Sequence, residues 1–179
     1  MYAIDPHKGK VSGGQFQRTY RSFLRNISKA GVRKRIVPIV KTSVDANRSW
    51  RKPVKLLFID GLHDELHALE DYRLWSRQII DGGIVAMHDA FCGWEGAGSV
   101  ASANIVRNDR YGEIGVIGSI IYGIKGKTKG ILRIKRLCNK LVIELCINIY
   151  KSHWIPKRIQ FILVHKILRI LLINRFTSF

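Results

Sequence analysis

Along the chain, short runs of apolar residues alternate with longer stretches in which apolar positions recur every three or four residues. The first periodicity suits buried strands and the second suits helices. Tyr2-Ala3-Ile4 reads as a strand ending at Asp5-Pro6, followed by a polar, glycine-rich loop over Lys8–Gly14. From Gln15, the positions Phe16, Tyr20, Phe23, Leu24 and Ile27 predict a helix stopped by Gly31. Ile36-Val37-Pro38-Ile39-Val40 predicts a strand at an edge or with irregular pairing, because proline cannot donate to a ladder. Thr42–Lys52 reads as a polar loop and Leu56–Ile59 as the next strand. Leu66, Leu69, Tyr72, Trp75 and Ile79 predict a helix over His63–Ile80, with acids at its start and Arg77 near its end, as the helix dipole favours. Gly82-Gly83 then turns the chain into a strand at Ile84–Met87. A helix is expected over Ser99–Arg107 and a hairpin over Glu113–Lys125.

Strands alternating with helices predict an α/β fold with a mostly parallel sheet covered by helices on both faces. In such sheets ligands bind beyond the carboxyl ends of the strands. Asp5, Asp60 and Asp89 each follow a predicted strand, so all three are expected to border one crevice.

Charge divides the chain unevenly. Lys and Arg total 31 against 13 Asp and Glu, a net +18. From Gly126 onward there are twelve Lys/Arg and one acid, Glu144. Two parts are therefore expected: an α/β domain over 1–125 and a basic amphipathic helical extension over 126–179. The three cysteines, Cys92, Cys138 and Cys146, have no metal-site spacing, and their odd number points to a reducing, cytoplasmic compartment. The opening residues lack the apolar core of a signal peptide, and no uncharged apolar run reaches the ~18 residues of a clean membrane span.

The acids at strand ends allow specific chemistry. A carboxylate after an early strand can accept both hydroxyls of a ribose, which places Asp5 as a nucleoside-binding candidate, although Asp-Pro also forms turns. Asp60, His88 and Asp89 offer ligands for a divalent cation, or Asp60-Gly61 is a turn and His88-Asp89 caps a helix. His63 and His67 lie four apart on one helical face. Lacking a third ligand in register, His67 is expected to be an exposed or satisfied histidine, and His63, three residues past Asp60, is the better crevice candidate.

The segments YAIDPH, FLRNISKAGVRKRIVPIVKTSVDA and LLFIDGLHDELHALEDYRLWSRQIIDGGIVAMHDAF resemble class I S-adenosylmethionine-dependent methyltransferases. Within them the likeness is greatest to the small-molecule and sugar O-methyltransferase branch, with its Ile-Asp-Gly-x-His and Gly-Gly-x-x-x-x-His-Asp signatures, and it covers about Tyr2 to Lys125. It implies a Rossmann-like fold and S-adenosylmethionine as methyl donor. It assigns Asp5 to the donor ribose, Thr42 and Ser43 to the adenine, and Asp60 to the donor's side and to Mg²⁺. His88 and Asp89 become metal ligands, His88 standing where the family has an acid, and His63 or His88 becomes the base for a sugar or other polar hydroxyl. The chain opens at what would be the family's second strand, so an N-terminally incomplete domain is expected. A degenerate domain that only docks to a membrane or partner is the rival, and a nicotinamide-dependent enzyme is a second.

The extension adds a further expectation. Ile131–Tyr150 and Ile155–Phe176 are rich in Ile and Leu, with Arg158, His165 and Arg169 forming one polar stripe. A wide apolar face with cations suits the headgroup region of an anionic membrane, at the inner face of the cell membrane, or else packing on the domain or a homo-oligomer contact. Nucleic acid is disfavoured, since the apolar content of 131–179 exceeds what a phosphate-tracking surface needs.

Overall fold

The computed structural model describes residues 1–10, 16–90, 95–128, 130–152 and 154–171. Much of the predicted glycine-rich loop, together with Cys92 and the last eight residues, lies outside them, as do the side chains of His165 and Arg169. The chain forms two compact units, Met1–Arg51 and Lys52–Phe179.

In the first unit, β1 (Tyr2–Ile4) and β4 (Val37–Ile39) pair in parallel, with Ala3 opposite Pro38. Between them, β2 (Lys8–Lys10) and β3 (Phe16–Arg18) form an antiparallel ladder where a loop was expected. Phe16 is thereby taken into a strand, and helix α1 begins only at Tyr20, running to Lys29. Its end matches the expectation: Gly31 sits at φ +69°, a left-handed conformation that glycine adopts without steric penalty. The second departure is α2 (Ser43–Arg48), inside the stretch read as a polar loop. Thr42 caps it, its hydroxyl accepting from the Asp45 amide at 3.1 Å and donating to the Asp45 carboxylate at 2.8 Å.

The second unit is built on four strands in the order β5-β6-β8-β7. These are β5 (Val54–Ile59), β6 (Ile79–Met87), β7 (Tyr111–Ile117) and β8 (Ile120–Lys125). β5 and β6 run parallel, joined by helix α3 (Glu65–Trp75), as the alternation predicts. β7 and β8 form the expected hairpin, which adds to β6 antiparallel. Helix α3 is shorter than its apolar spacing suggests, because Ser76–Gln78 tighten into a 3₁₀ turn and Ile79 already belongs to β6. The buried side of α3 also differs. Ala68, Tyr72 and Trp75 face the core, while Leu66 is 80% exposed. Helix α4 (Glu95–Ala101) starts four residues earlier than read and passes into a π-helical turn over Ser102–Val106.

The core joins these elements through Ile59, Val85, Met87, Ala101, Ile105, Ile114 and Ile121. Burial of each of the Ile, Val and Met side chains among them stabilises by about 1.5–3 kcal/mol. Two buried hydroxyls lock it laterally: Tyr72 and Tyr111 lie 2.9 Å apart, and Tyr72 also donates to the Asn104 carbonyl at 2.9 Å. Burial, first of all, holds the Tyr111 phenol far above its ordinary pKa.

The basic extension forms two helices, α5 (Ile131–Lys151) and α6 (Lys157–Leu171), which belong to the second unit. Ile143, Cys146 and Ile147 of α5 and Val164 of α6 join the same core cluster. Arg136 donates to the Tyr111 carbonyl at 2.6 Å and Asn139 to the Ile114 carbonyl at 2.9 Å, pinning α5 to β7. Buried Gln160 ties the turn between the helices by donating to the Ser152 and Ile155 carbonyls. Among the described residues no helix is long and apolar enough to cross a membrane.

Candidate active site at the ends of strands β5 and β6

The parallel register sets Ile59 beside Met87, so the residues that follow, Asp60 and His88, leave the sheet side by side. The ladder continues one step further, with the His88 amide donating to the Ile59 carbonyl at 2.9 Å. The Asp60 carboxylate comes within 2.9 Å of His88 Nδ1. Asp89 then enters the left-handed region at φ +52°, unusual for a residue with a side chain and least costly for Asn and Asp. Beyond it, the Ala90 amide is held by the Ser119 carbonyl at 2.9 Å.

That backbone turn aims Asp89 at two histidines. Its Oδ1 lies 3.4 Å from His88 Nδ1 and its Oδ2 lies 3.4 Å from His63 Nε2. Asp60, His88, Asp89 and His63 therefore form one linked group, with both histidines and Asp89 half-buried and Asp60 exposed. His63 reaches the group from the loop before α3, and α4 holds that loop in place. The Ala97 amide donates to the His63 carbonyl at 3.2 Å. Gly96 makes this approach possible, because a Cβ there would stand 2.4 Å from the His63 carbonyl oxygen and the Glu65 nitrogen. Reading the sequence missed both the Gly96 contact and the left-handed Asp89; the only visible trace of the first is a glycine in the first turn of a helix.

His67, one helical turn beyond His63, does something else. Its Nδ1 lies 2.7 Å from Asp64 Oδ2, and its amide donates to Asp64 Oδ1 at 3.0 Å. Asp64 is thus the N-cap of α3. The backbone bond from His67, and then its ring, lower the Asp64 pKa; the side-chain bond to Asp64 raises that of His67. The pair is exposed, as expected for His67.

The donor set invites a test for a divalent cation. His88 Nδ1 is buried but makes no hydrogen bond among the described residues, since Asp60 approaches out of line. An orphaned nitrogen between two carboxylates is a position a cation would satisfy. Mg²⁺, however, prefers oxygen ligands. Among the described residues no group of three or more His, Cys, Asp or Glu side chains is arranged to hold a metal ion. As placed, the cluster does not fit Mg²⁺, and the chemistry below follows from the side chains alone.

In the first unit, Asp5 follows β1 as expected, and its Oδ1 accepts the His7 amide at 2.5 Å, which makes an Asp-Pro turn. His7 is buried at φ +52°, within 3.1 Å of the Thr19 hydroxyl and against the Tyr20 and Phe23 rings, a cluster the sequence did not suggest. Thr42 is engaged as the cap of α2, and Ser43 opens that helix.

Known proteins bear on this arrangement. The profile of a family described as a methyltransferase domain matches residues 1–90, which takes in Asp5, Asp60, His63, His88 and Asp89. The chain belongs to this methyltransferase-domain family. Solved structures similar to it include the MycE methyltransferase from the mycinamycin biosynthetic pathway, once with Mg and SAH and once with Mg, SAH and mycinamycin VI. Each is 15% identical with a TM-score of 0.45, covering 70% of this chain. The chain spans 45% of the length of either structure.

Proposed function

We propose that the protein takes part in methyl transfer from S-adenosylmethionine to a hydroxyl of a sugar or other polar small molecule. Family membership supports the reaction class. The observation that carries the finer reading is the His63–Asp89 pair at the carboxyl end of β6. In the transfer, the acceptor oxygen forms a bond to the methyl carbon while the carbon–sulfur bond breaks, its electrons staying on sulfur. The hydroxyl proton must leave as the oxygen attacks. His63 takes it, and Asp89 orients the ring and stabilises the imidazolium that forms. His88, which lies beside Asp60 and Asp89, is the second candidate for this proton. Asp5 is assigned to the donor ribose, Thr42 and Ser43 to its adenine, and Asp60 to the donor's side. Much of the rate then comes from alignment of oxygen, carbon and sulfur.

Calorimetry with S-adenosylhomocysteine tests the donor: saturable heat is expected, and silence at millimolar ligand would leave a methyltransferase fold without donor binding. Radiolabelled donor and a panel of glycosides then test the acceptor class. Running the same panel in EDTA tests the metal. Unchanged turnover is expected from the side-chain chemistry, and loss restored by Mg²⁺ would assign Asp60, His88 and Asp89 as ligands after all.

A further inference from the structure

Helix α5 has two apolar sides. One carries Ile143, Cys146 and Ile147 into the core. The other carries Ile134, Leu137, Leu141 and Leu145, spaced three, four and four apart and so aligned on one stripe. All four are at least half exposed, from 50% at Leu145 to 65% at Ile134. Trp154, in the turn to α6, is 96% exposed, and Ile159 and Ile162 of α6 are about half exposed. Such an expanse of aliphatic surface on a soluble face is unusual and marks an interaction site.

The charges around the stripe say what it meets. Arg133, Lys140 and Lys151 recur at seven and eleven residues, which returns them to one side of α5. The one acid of the extension, Glu144, is held by Arg107 at 2.9 Å. Lys135 and Arg136 reach acids outside the extension, Glu113 and Asp109. Among the described residues Arg133, Lys140, Lys157, Arg158 and Lys166 form no ion pair. A second copy of this chain would bring the same positive charge to the contact, and a nucleic acid would leave the leucines in water. An anionic bilayer satisfies both features: aliphatic side chains enter the acyl boundary and lysine and arginine stay among the phosphates.

We propose that the outer stripe of α5, with Trp154 and the start of α6, docks the protein on the surface of an anionic lipid membrane. The helices lie in the interface, and the inner side of α5 stays in the protein core. The proposal is independent of methyl transfer.

Co-sedimentation of the full chain with phosphatidylcholine vesicles, with and without phosphatidylglycerol, tests it. Binding is expected to require the anionic lipid, to weaken with salt, and to shift Trp154 emission to the blue, a shift lost in Trp154→Phe. Leu141→Asp with Leu145→Asp should lower partitioning about tenfold or more, since it removes apolar area and adds negative charge. Arg133→Ser with Lys140→Ser should lower it about tenfold on anionic vesicles only. Circular dichroism should be unchanged in both, because all four side chains lie outside the core. Equal binding by the Leu141/Leu145 variant overturns the proposal. So does a dimer in light scattering that this variant abolishes, or DNA binding that it retains in place of lipid binding.

Discussion

Two histidine–aspartate pairs sit at the start of α3, four residues apart, and they serve different ends. His67 meets Asp64, three residues away at the N-cap of its own helix, in an exposed setting. His63 meets Asp89, twenty-six residues away just past the end of β6, in a half-buried setting. The first pair satisfies one of the free amides of a helix start, that of His67. The second exists only because β5 and β6 run in register and α4 presses on the loop between them. A local pair of this kind caps; a pair assembled from distant segments, at the ends of parallel strands, is where chemistry is to be sought.

The largest difference should appear in turnover. His63→Ala and Asp89→Asn are each expected to lower kcat by about 10²–10⁴ while S-adenosylhomocysteine still binds, as loss of a positioned base does. His67→Ala should stay within about twofold of the parent. If the two histidines were equally dispensable, the contrast would collapse. Next comes the support under His63. Gly96→Ala places a methyl group against backbone atoms and should cost about 1–3 kcal/mol in denaturant unfolding, with turnover falling alongside.

The smallest effect belongs to the exposed pair, and its sign depends on pH. Asp64 has a lowered pKa in the fold, so its contribution is present above the unfolded value and is lost as pH falls through the folded one. His67 has a raised pKa, so its contribution is full below the unfolded value and is lost as pH rises through the folded one. Asp64→Ala should therefore lower the unfolding midpoint more near about pH 5.5 than near about pH 8.5. The same substitution should return the His67 NMR titration midpoint toward its ordinary value; an unmoved midpoint would remove the proposed cause.

Much of the fold was legible because strands show as unbroken apolar runs, as in Leu56–Ile59 and Ile84–Met87, although within the first Leu56 and Phe58 are exposed and only Ile59 is buried. The β7–β8 hairpin was legible for a similar reason. What the pattern misjudged was polar and local. Helix α2 carries its signal in Thr42 and Asp45, a cap and the residue three beyond it, in a stretch too polar for periodicity to show. On α3, Leu66 looked like a core position by spacing, yet the small Ala68 takes the buried side where the helix packs closely. The grouping of Asp60, His88 and Asp89 followed from strand ends alone. The His63–Asp89 contact needed the path of the loop, which no spacing encodes. For the extension the sequence left a membrane surface, packing on the domain and a homo-oligomer contact open. Ile143, Cys146 and Ile147 of α5 do pack into the core, while its opposite side is also apolar, and only folding shows which side is spent.

Asp89 holds its carboxylate between two histidines only while its backbone stays left-handed, a conformation costing about 1–2 kcal/mol for a residue with a Cβ. Folding and chemistry therefore make opposing demands on one codon. A library at position 89 screened for survival of heating should enrich Gly, which relaxes the backbone and discards the carboxylate. The same library screened for methylated product should return Asp.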